Sequence, residues 1–370
     1  MVLVSAVGTL PRIGPQGSFQ MTAHRVFVSH TMFLFAATLL VSLAASPAAA
    51  QTLRTADGRP DLQGVWDFRT MTPLQRPSDL GEKAFLTAEE AAAQEAGVAE
   101  RRARLLEPSE VRTEPLPAGG GGRAIGGYND FWLDYGTTIV GNRRTSLIVD
   151  PADGRLPALT PEGEALRQVG SLMEDLPIEG LVRVRSAGTG SDHPEDRGLA
   201  ERCLVGFNSG PPMMPSGYNN NMQLFQTPGA VVILNEMVHD VRIIPLDARP
   251  HLPGSVGQWA GSSVGHWEGD TLVVETTNMT DKTASFEPSA TTAIGTGVTM
   301  TLTERFSRLN EDTLLYEYTV DDPTIFTSPF TVAVPMRRSD EPMFEYACHE
   351  GNYGLLNILT GARVAEAAAR

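Results

Sequence analysis

Thr313-Leu314-Leu315-Tyr316-Glu317-Tyr318-Thr319-Val320 is the stretch that decides the fold class. A strand repeats its side-chain direction every second residue, so Leu314, Tyr316, Tyr318 and Val320 share one apolar face. Thr313, Leu315, Glu317 and Thr319 form the other. The turn residues Leu309-Asn310-Glu311-Asp312 precede it, so the run Val298 to Arg308 is expected to pair with it antiparallel. Working outward, Val231 to Met237, Val241 to Leu246, Thr271 to Thr277, Phe330 to Val334 and Met343 to Cys348 read as further strands, with Glu268-Gly269-Asp270 as a second tight turn. Strands following one another without helices predict a mainly β protein, an antiparallel meander forming a lipocalin-like barrel or a sandwich. Barrel closure would leave no exposed strand edge.

The chain before these strands is organised differently. Ile139-Val140 and Ser146 to Val149 read as early strands, followed by a turn at Asp150-Pro151-Ala152-Asp153-Gly154. Helices are few and peripheral. Thr87-Ala88-Glu89-Glu90 is a capping box that opens a helix to about Leu106. Thr160-Pro161 opens a second, to about Met173, and a short third is expected near Pro194 to Arg202. Gly119-Gly120-Gly121-Gly122 marks a flexible loop, which suggests an N-terminal arm over residues 51–127 and a β-rich main domain over 128–370.

Residues 1–50 contain Arg12 and Arg25, no acid, and an apolar run from Met32 to Ala45 that ends in Ser46-Pro47-Ala48-Ala49-Ala50. That is the plan of a signal peptide, and the run is shorter than the roughly 20 residues of a membrane-spanning helix. An uncleaved anchor helix is the alternative, and Met21 is a second candidate start. Cleavage after Ala50 would leave 320 residues and take the formal charge from −15 to −17, because two cations are lost. So acidic a chain argues against nucleic acid or an anionic membrane as partner. The expected location is the periplasm or the exterior. There the even cysteine count favours a Cys203–Cys348 disulfide over two separate buried thiols. Closing that loop would restrict the unfolded chain by roughly 4 to 5 kcal/mol.

Two stretches carry a resemblance: Gly265-His266-Trp267-Glu268-Gly269-Asp270-Thr271-Leu272-Val273-Val274-Glu275-Thr276, and Glu345-Tyr346-Ala347-Cys348-His349-Glu350-Gly351-Asn352-Tyr353. They resemble hallmark stretches of a family of exported bacterial proteins, over most of the mature chain. The resemblance implies export and carries over no catalytic residue. Gly64-Val65-Trp66 is similar to the Gly-x-Trp start of lipocalins, but a helix-bearing arm follows it.

Chemistry is sought among the five histidines of the mature chain, His193, His239, His251, His266 and His349. A histidine beside a carboxylate is held in one tautomer and serves as a general base. His239 neighbours Glu236 and Asp240, and His349 lies between Cys348 and Glu350. The catalytic candidates are therefore His239, His349, His251, Glu236, Asp240 and Glu350, meeting at one barrel mouth, with Arg242 to hold an anionic group. A surface or structural role is the competing reading for each. Tyr218, Asn219, Asn220 and Asn221, in a loop begun by Pro211-Pro212, suit a polar, ring-shaped ligand, and Trp132, Trp259 and Trp267 could line its pocket. Ser263 matches Gly-x-Ser-x-Gly but lacks the strand–turn–helix context of a nucleophile elbow, and reads as a hairpin residue. A divalent metal on His239, His251 and His349 is the weaker option, since no close-spaced ligand signature supports it. These residues suggest a hydrolase or lyase acting on a small sugar-like or phenolic molecule without an organic cofactor. The alternatives are a periplasmic small-molecule-binding protein with a lipocalin-like cavity, and a structural envelope protein without a pocket.

Overall fold

The computed structural model describes residues 53–106, 133–169, 181–186 and 190–370. The candidate export segment, the Gly119–Gly122 loop and Trp132 lie outside these residues.

The protein is mainly β. Its strands are β1 (Gly64–Asp67), β2 (Ile148–Asp150), β3 (Gln168–Val169), β4 (Asn221–Gln226), β5 (Ala230–Asn235), β6 (Val241–Pro245), β7 (Ser262–Glu268), β8 (Thr271–Thr277), β9 (Phe286–Ser289), β10 (Thr292–Ile294), β11 (Thr301–Arg308), β12 (Thr313–Asp321) and β13 (Phe330–Ser339). Helices α1 (Ala88–Leu106), α2 (Pro161–Ala165) and α3 (Tyr353–Ala368) flank them. One antiparallel sheet runs β6-β5-β4-β1-β13-β12-β11-β8-β7, with β2 added on β13; a smaller sheet is β3-β10-β9.

The alternation in β12 sets the inside of the large sheet. Leu314, Tyr316, Tyr318 and Val320 are at most 1% exposed, and they join Trp66, Ile233, Ile244, Val274 and Phe306 in a continuous core. Burying each such side chain contributes about 1.5–3 kcal/mol. Phe306 lies opposite Tyr316 and Glu304 opposite Tyr318 on β11.

A polar cluster sits within this core. Arg242 Nη1 donates to Glu304 Oε1 at 3.0 Å, Tyr316 Oη donates to the same oxygen at 2.8 Å, and the Met213 amide donates to Tyr316 at 3.1 Å. Burial alone would lower the Arg242 pKa, but the Glu304 charge reverses this and raises it. Burial also pushes the Tyr316 phenol well above its usual range. The cluster spans the two ends of the strand path, because Arg242 on β6 also reaches Ser263 on β7 and Thr276 on β8. β6 and β7 share no ladder. Gly265 lies where a Cβ would come within 2.9 Å of Ile244 and Leu246, so a side chain there would push β7 away from β6.

Several expectations need correction. Met343 to Cys348 is irregular, not a strand: it follows Pro342, passes over the outer face of the sheet, and spends its backbone on side-chain and disulfide anchors. Ile139-Val140 is irregular, with no strand partner among the described residues. The helix from Thr160 stops at Ala165, because Gln168-Val169 turn into the small sheet. The third helix shrinks to a single turn, Pro194–Asp196. By contrast, α1 opens on the expected reciprocal cap, Glu90 N–H to Thr87 Oγ1 (3.2 Å) and Thr87 N–H to Glu90 Oε2 (2.8 Å). β1, in the stretch read as an arm, is an inner strand of the large sheet, between β13 and β4. The Cys203–Cys348 disulfide is present, with Cα atoms 5.9 Å apart.

Candidate functional site

The site is built where the β5–β6 connection meets the segment after β13. Val238 and His239 both adopt left-handed backbone, φ 59° and 46°. Val238 is β-branched and only 3% exposed, a combination that costs of order 1–3 kcal/mol and persists only where surroundings impose it. The surroundings are visible. Asp240 accepts from the Gly206 amide at 2.9 Å and from the Ser209 hydroxyl, while Asn235 donates to the Ser209 carbonyl at 2.9 Å. Met237 is fully buried and occupies the space a side chain at residue 206 would need. Burial raises the Asp240 pKa, against the pull of its two hydrogen-bond donors.

Residues 340–352 form a strap across this turn. The disulfide to Cys203 fixes it, and Asn352 Nδ2 donates to the Glu201 carbonyl at 2.6 Å while Asn352 Oδ1 caps α3 through Leu355 N–H. His239 Nδ1 lies 3.0 Å from the Tyr346 carbonyl, which also receives the Cys348 amide at 2.8 Å. A carbonyl can only accept, so Nδ1 carries a proton, and in the neutral ring the lone pair is on Nε2. Glu236 is 4% exposed; its Oε2 accepts from Asn221 Nδ2 at 2.7 Å and its Oε1 from the Phe344 amide at 3.3 Å.

Between turn, strap and sheet lies an open cleft of about 590 Å³. Its floor is the outward-facing Val65, Gln223 and Leu234 of β1, β4 and β5, and its rim carries Glu236, His239, Phe344, Glu345, Tyr346 and Glu350. It lies on the outer face of the sheet, opposite the packed core.

Of the catalytic candidates the cleft takes Glu236, His239 and Glu350. His349 is exposed beside it, its ring centroid 6.5 Å from that of His239. Asp240 anchors the turn from behind. His251 is elsewhere, bonded at 2.9 Å to the Ser262 carbonyl and to Glu275 Oε1 on β7 and β8. Arg242 is held by Glu304 in the core. Asn221 reaches the site by holding Glu236. The rest of the Asn-rich loop folds on itself: Asn220 bonds both backbone groups of Ser216, Asn208 caps the carbonyls of Tyr218 and Asn219, and Tyr218 stands edge-on to Phe207 at 5.2 Å. Trp259 and Trp267 lie under Arg202 and Arg59. His266 bonds Glu268, and His193 opens the turn at Pro194.

Sequence reasoning missed Phe344, Glu345 and Tyr346 as site residues, because their apolar alternation imitates a strand. The available signal was their place in the stretch that ends at Cys348. Among the described residues no three His, Cys, Asp or Glu side chains converge on a metal position. Among them, too, no helix is long and apolar enough to cross a membrane.

No family model, curated protein or solved structure matches the chain.

Proposed function

We propose that the protein is an exported enzyme that acts on a small polar or aromatic molecule in the outer cleft, by acid–base chemistry. The observation that carries this reading is His239, held on a strained turn with its tautomer set by the Tyr346 carbonyl, beside the buried carboxylate of Glu236. Strain maintained by its surroundings at a titratable residue is a mark of functional sites. In a hydrolysis, Nε2 takes a proton from water as the water oxygen attacks the substrate, and the imidazolium returns that proton to the leaving group. In an elimination the same nitrogen takes the proton from substrate carbon. Glu236 and Glu350 stabilise the positive charge that develops on the ring.

A panel of chromogenic aryl esters and aryl glycosides, with and without an acidic C–H, tests the reading. His239→Ala should lower kcat/KM on any accepted substrate by about 10²–10⁴-fold. Full activity in that variant would overturn the role.

One observation favours a second reading, that the cleft binds and releases a ligand unchanged. Both Glu236 oxygens are already engaged, as in a fixed recognition group. Tight binding without turnover across the panel would select it. For the architecture we infer a barrel whose seam between β6 and β7 is closed by the Arg242 side chain in place of a ladder. For the compartment we infer the periplasm or the exterior, which the disulfide and the N-terminal segment support.

A further inference from the structure

The cleft carries charge of one sign. Glu236, Glu345 and Glu350 line it together with His239, and among the described residues no lysine or arginine does. Glu236 is the telling member. A carboxylate that is only 4% exposed normally has a cation beside it, yet its hydrogen bonds come from an amide and a backbone N–H, both neutral. Arg69 lies within reach of its field, but that guanidinium is engaged by Asp67 and Asp134 and belongs to a different groove. Next to the carboxylates the cleft offers an apolar floor, Val65 and Leu234, and the ring of Phe344, which is 71% exposed. Buried acid, apolar floor and open aromatic face together form the recognition chemistry of an ammonium group on an apolar body.

We propose that the ligand of this cleft is an organic cation, an alkyl- or aryl-ammonium compound whose charge faces Glu236 and whose apolar part lies on Val65, Leu234 and Phe344. The proposal rests on the reading of the cleft as the functional site and adds the class of its ligand. Such a site selects against anions: a carboxylate or phosphate ligand would meet three acids and, among the described lining residues, no lysine or arginine. It also explains the strap, because fixing Phe344 through the disulfide sets the ring against the carboxylate before the ligand arrives.

Benzylamine, benzyl alcohol and benzoate share a ring and differ in charge, so isothermal titration of the disulfide-bonded chain with each, near neutral pH, tests the proposal. Benzylamine is expected to bind about tenfold or more tightly than benzyl alcohol, with benzoate weakest. Glu236→Gln should bring the amine down to the level of the alcohol, and the exposed Glu350→Gln, which leaves the buried hydrogen bonds alone, should narrow the gap in part. If benzyl alcohol or benzoate binds as tightly as benzylamine, and Phe344→Ala weakens all three, the cation preference is overturned and the cleft stands. If no probe binds, both are overturned.

Discussion

Two groups of titratable residues lie on opposite faces of one sheet. Inside, Arg242, Glu304 and Tyr316 are all but excluded from water and bonded to one another, opposite charge against opposite charge. Outside, Glu236 is nearly as buried but holds only neutral donors, and His239 sits exposed on a backbone most residues avoid. The inner group carries its own counter-charge, with Arg242 Nε its one atom left without a partner among the described residues, and it ties β6 to β11, β7 and β8. Among the described residues no cation is bonded to the Glu236 carboxylate of the outer group, and the cation in its field, Arg69, is held by Asp67 and Asp134. Burial and charge alone do not separate structure from function; what differs is whether a cation is bonded directly to the buried carboxylate.

The largest effect that would sharpen this contrast is on stability. Glu304→Ala strands the buried Arg242 guanidinium and should cost roughly 3–5 kcal/mol in denaturant unfolding. Glu236→Gln keeps the volume and the amide partner, and should cost about 1 kcal/mol or less. Equal losses would break the distinction. Replacing the inner pair together, Arg242→Met with Glu304→Leu, should restore most of the loss, since a matched apolar pair leaves no charge unpaired.

Next in size is the strap. Cys203→Ser with Cys348→Ser removes the closure of a loop of 145 residues and should lower stability by about 2–5 kcal/mol. It should also weaken probe binding in the cleft, whereas disruption of the inner pair should lower stability with little change in affinity of the folded fraction.

A third buried carboxylate is Glu287, on β9 of the small sheet. Its Oε1 is 3.0 Å from Arg185 Nε, close enough for attraction but out of line for a hydrogen bond, and neither atom has another partner. Burial pushes the Glu287 carboxyl up from 4.5 to about 7, against the attraction of Arg185. The folded state therefore holds this proton more tightly than the unfolded chain, so stability is highest below the unfolded value and falls as pH rises towards about 7. The total is about 3 kcal/mol at 1.4 kcal/mol per pH unit. Glu287→Gln should flatten the pH dependence of unfolding across that window; an unchanged slope would assign it to other groups.

The smallest effect is at the turn. Val238→Gly relieves the left-handed β-branched backbone and should raise stability by up to about 1 kcal/mol, offset by the lost buried side chain. If the strain orients His239, catalytic or binding strength falls in the same variant.

What the sequence disclosed follows from the range of the forces involved. The alternation of β12 and the cap at Thr87 are local, so they were legible. β1 was hidden because four residues carry little periodicity and its two partner strands lie more than 150 residues away. The strap was misread because Met343, Phe344 and Tyr346 alternate like a strand, although it is held by a disulfide and scattered hydrogen bonds. Glu236 and His239 were visible as neighbours in sequence. The carbonyl that fixes His239 and the amide that holds Glu236 come from about 107 residues further on, and no local pattern announces them. Arg242 carried the same charge signal and proved to be spoken for by Glu304.

The central claim is that the outer cleft, between the β5–β6 turn and the strap, is where a ligand meets this protein. Chemical-shift mapping of the histidine and aromatic side chains during titration with benzylamine tests it most directly. The expected result is saturable perturbation of His239 and Phe344, with His251 and Trp267 unmoved. Perturbation centred on His251 or Trp267, or none at His239 when the ligand is saturating, would contradict it.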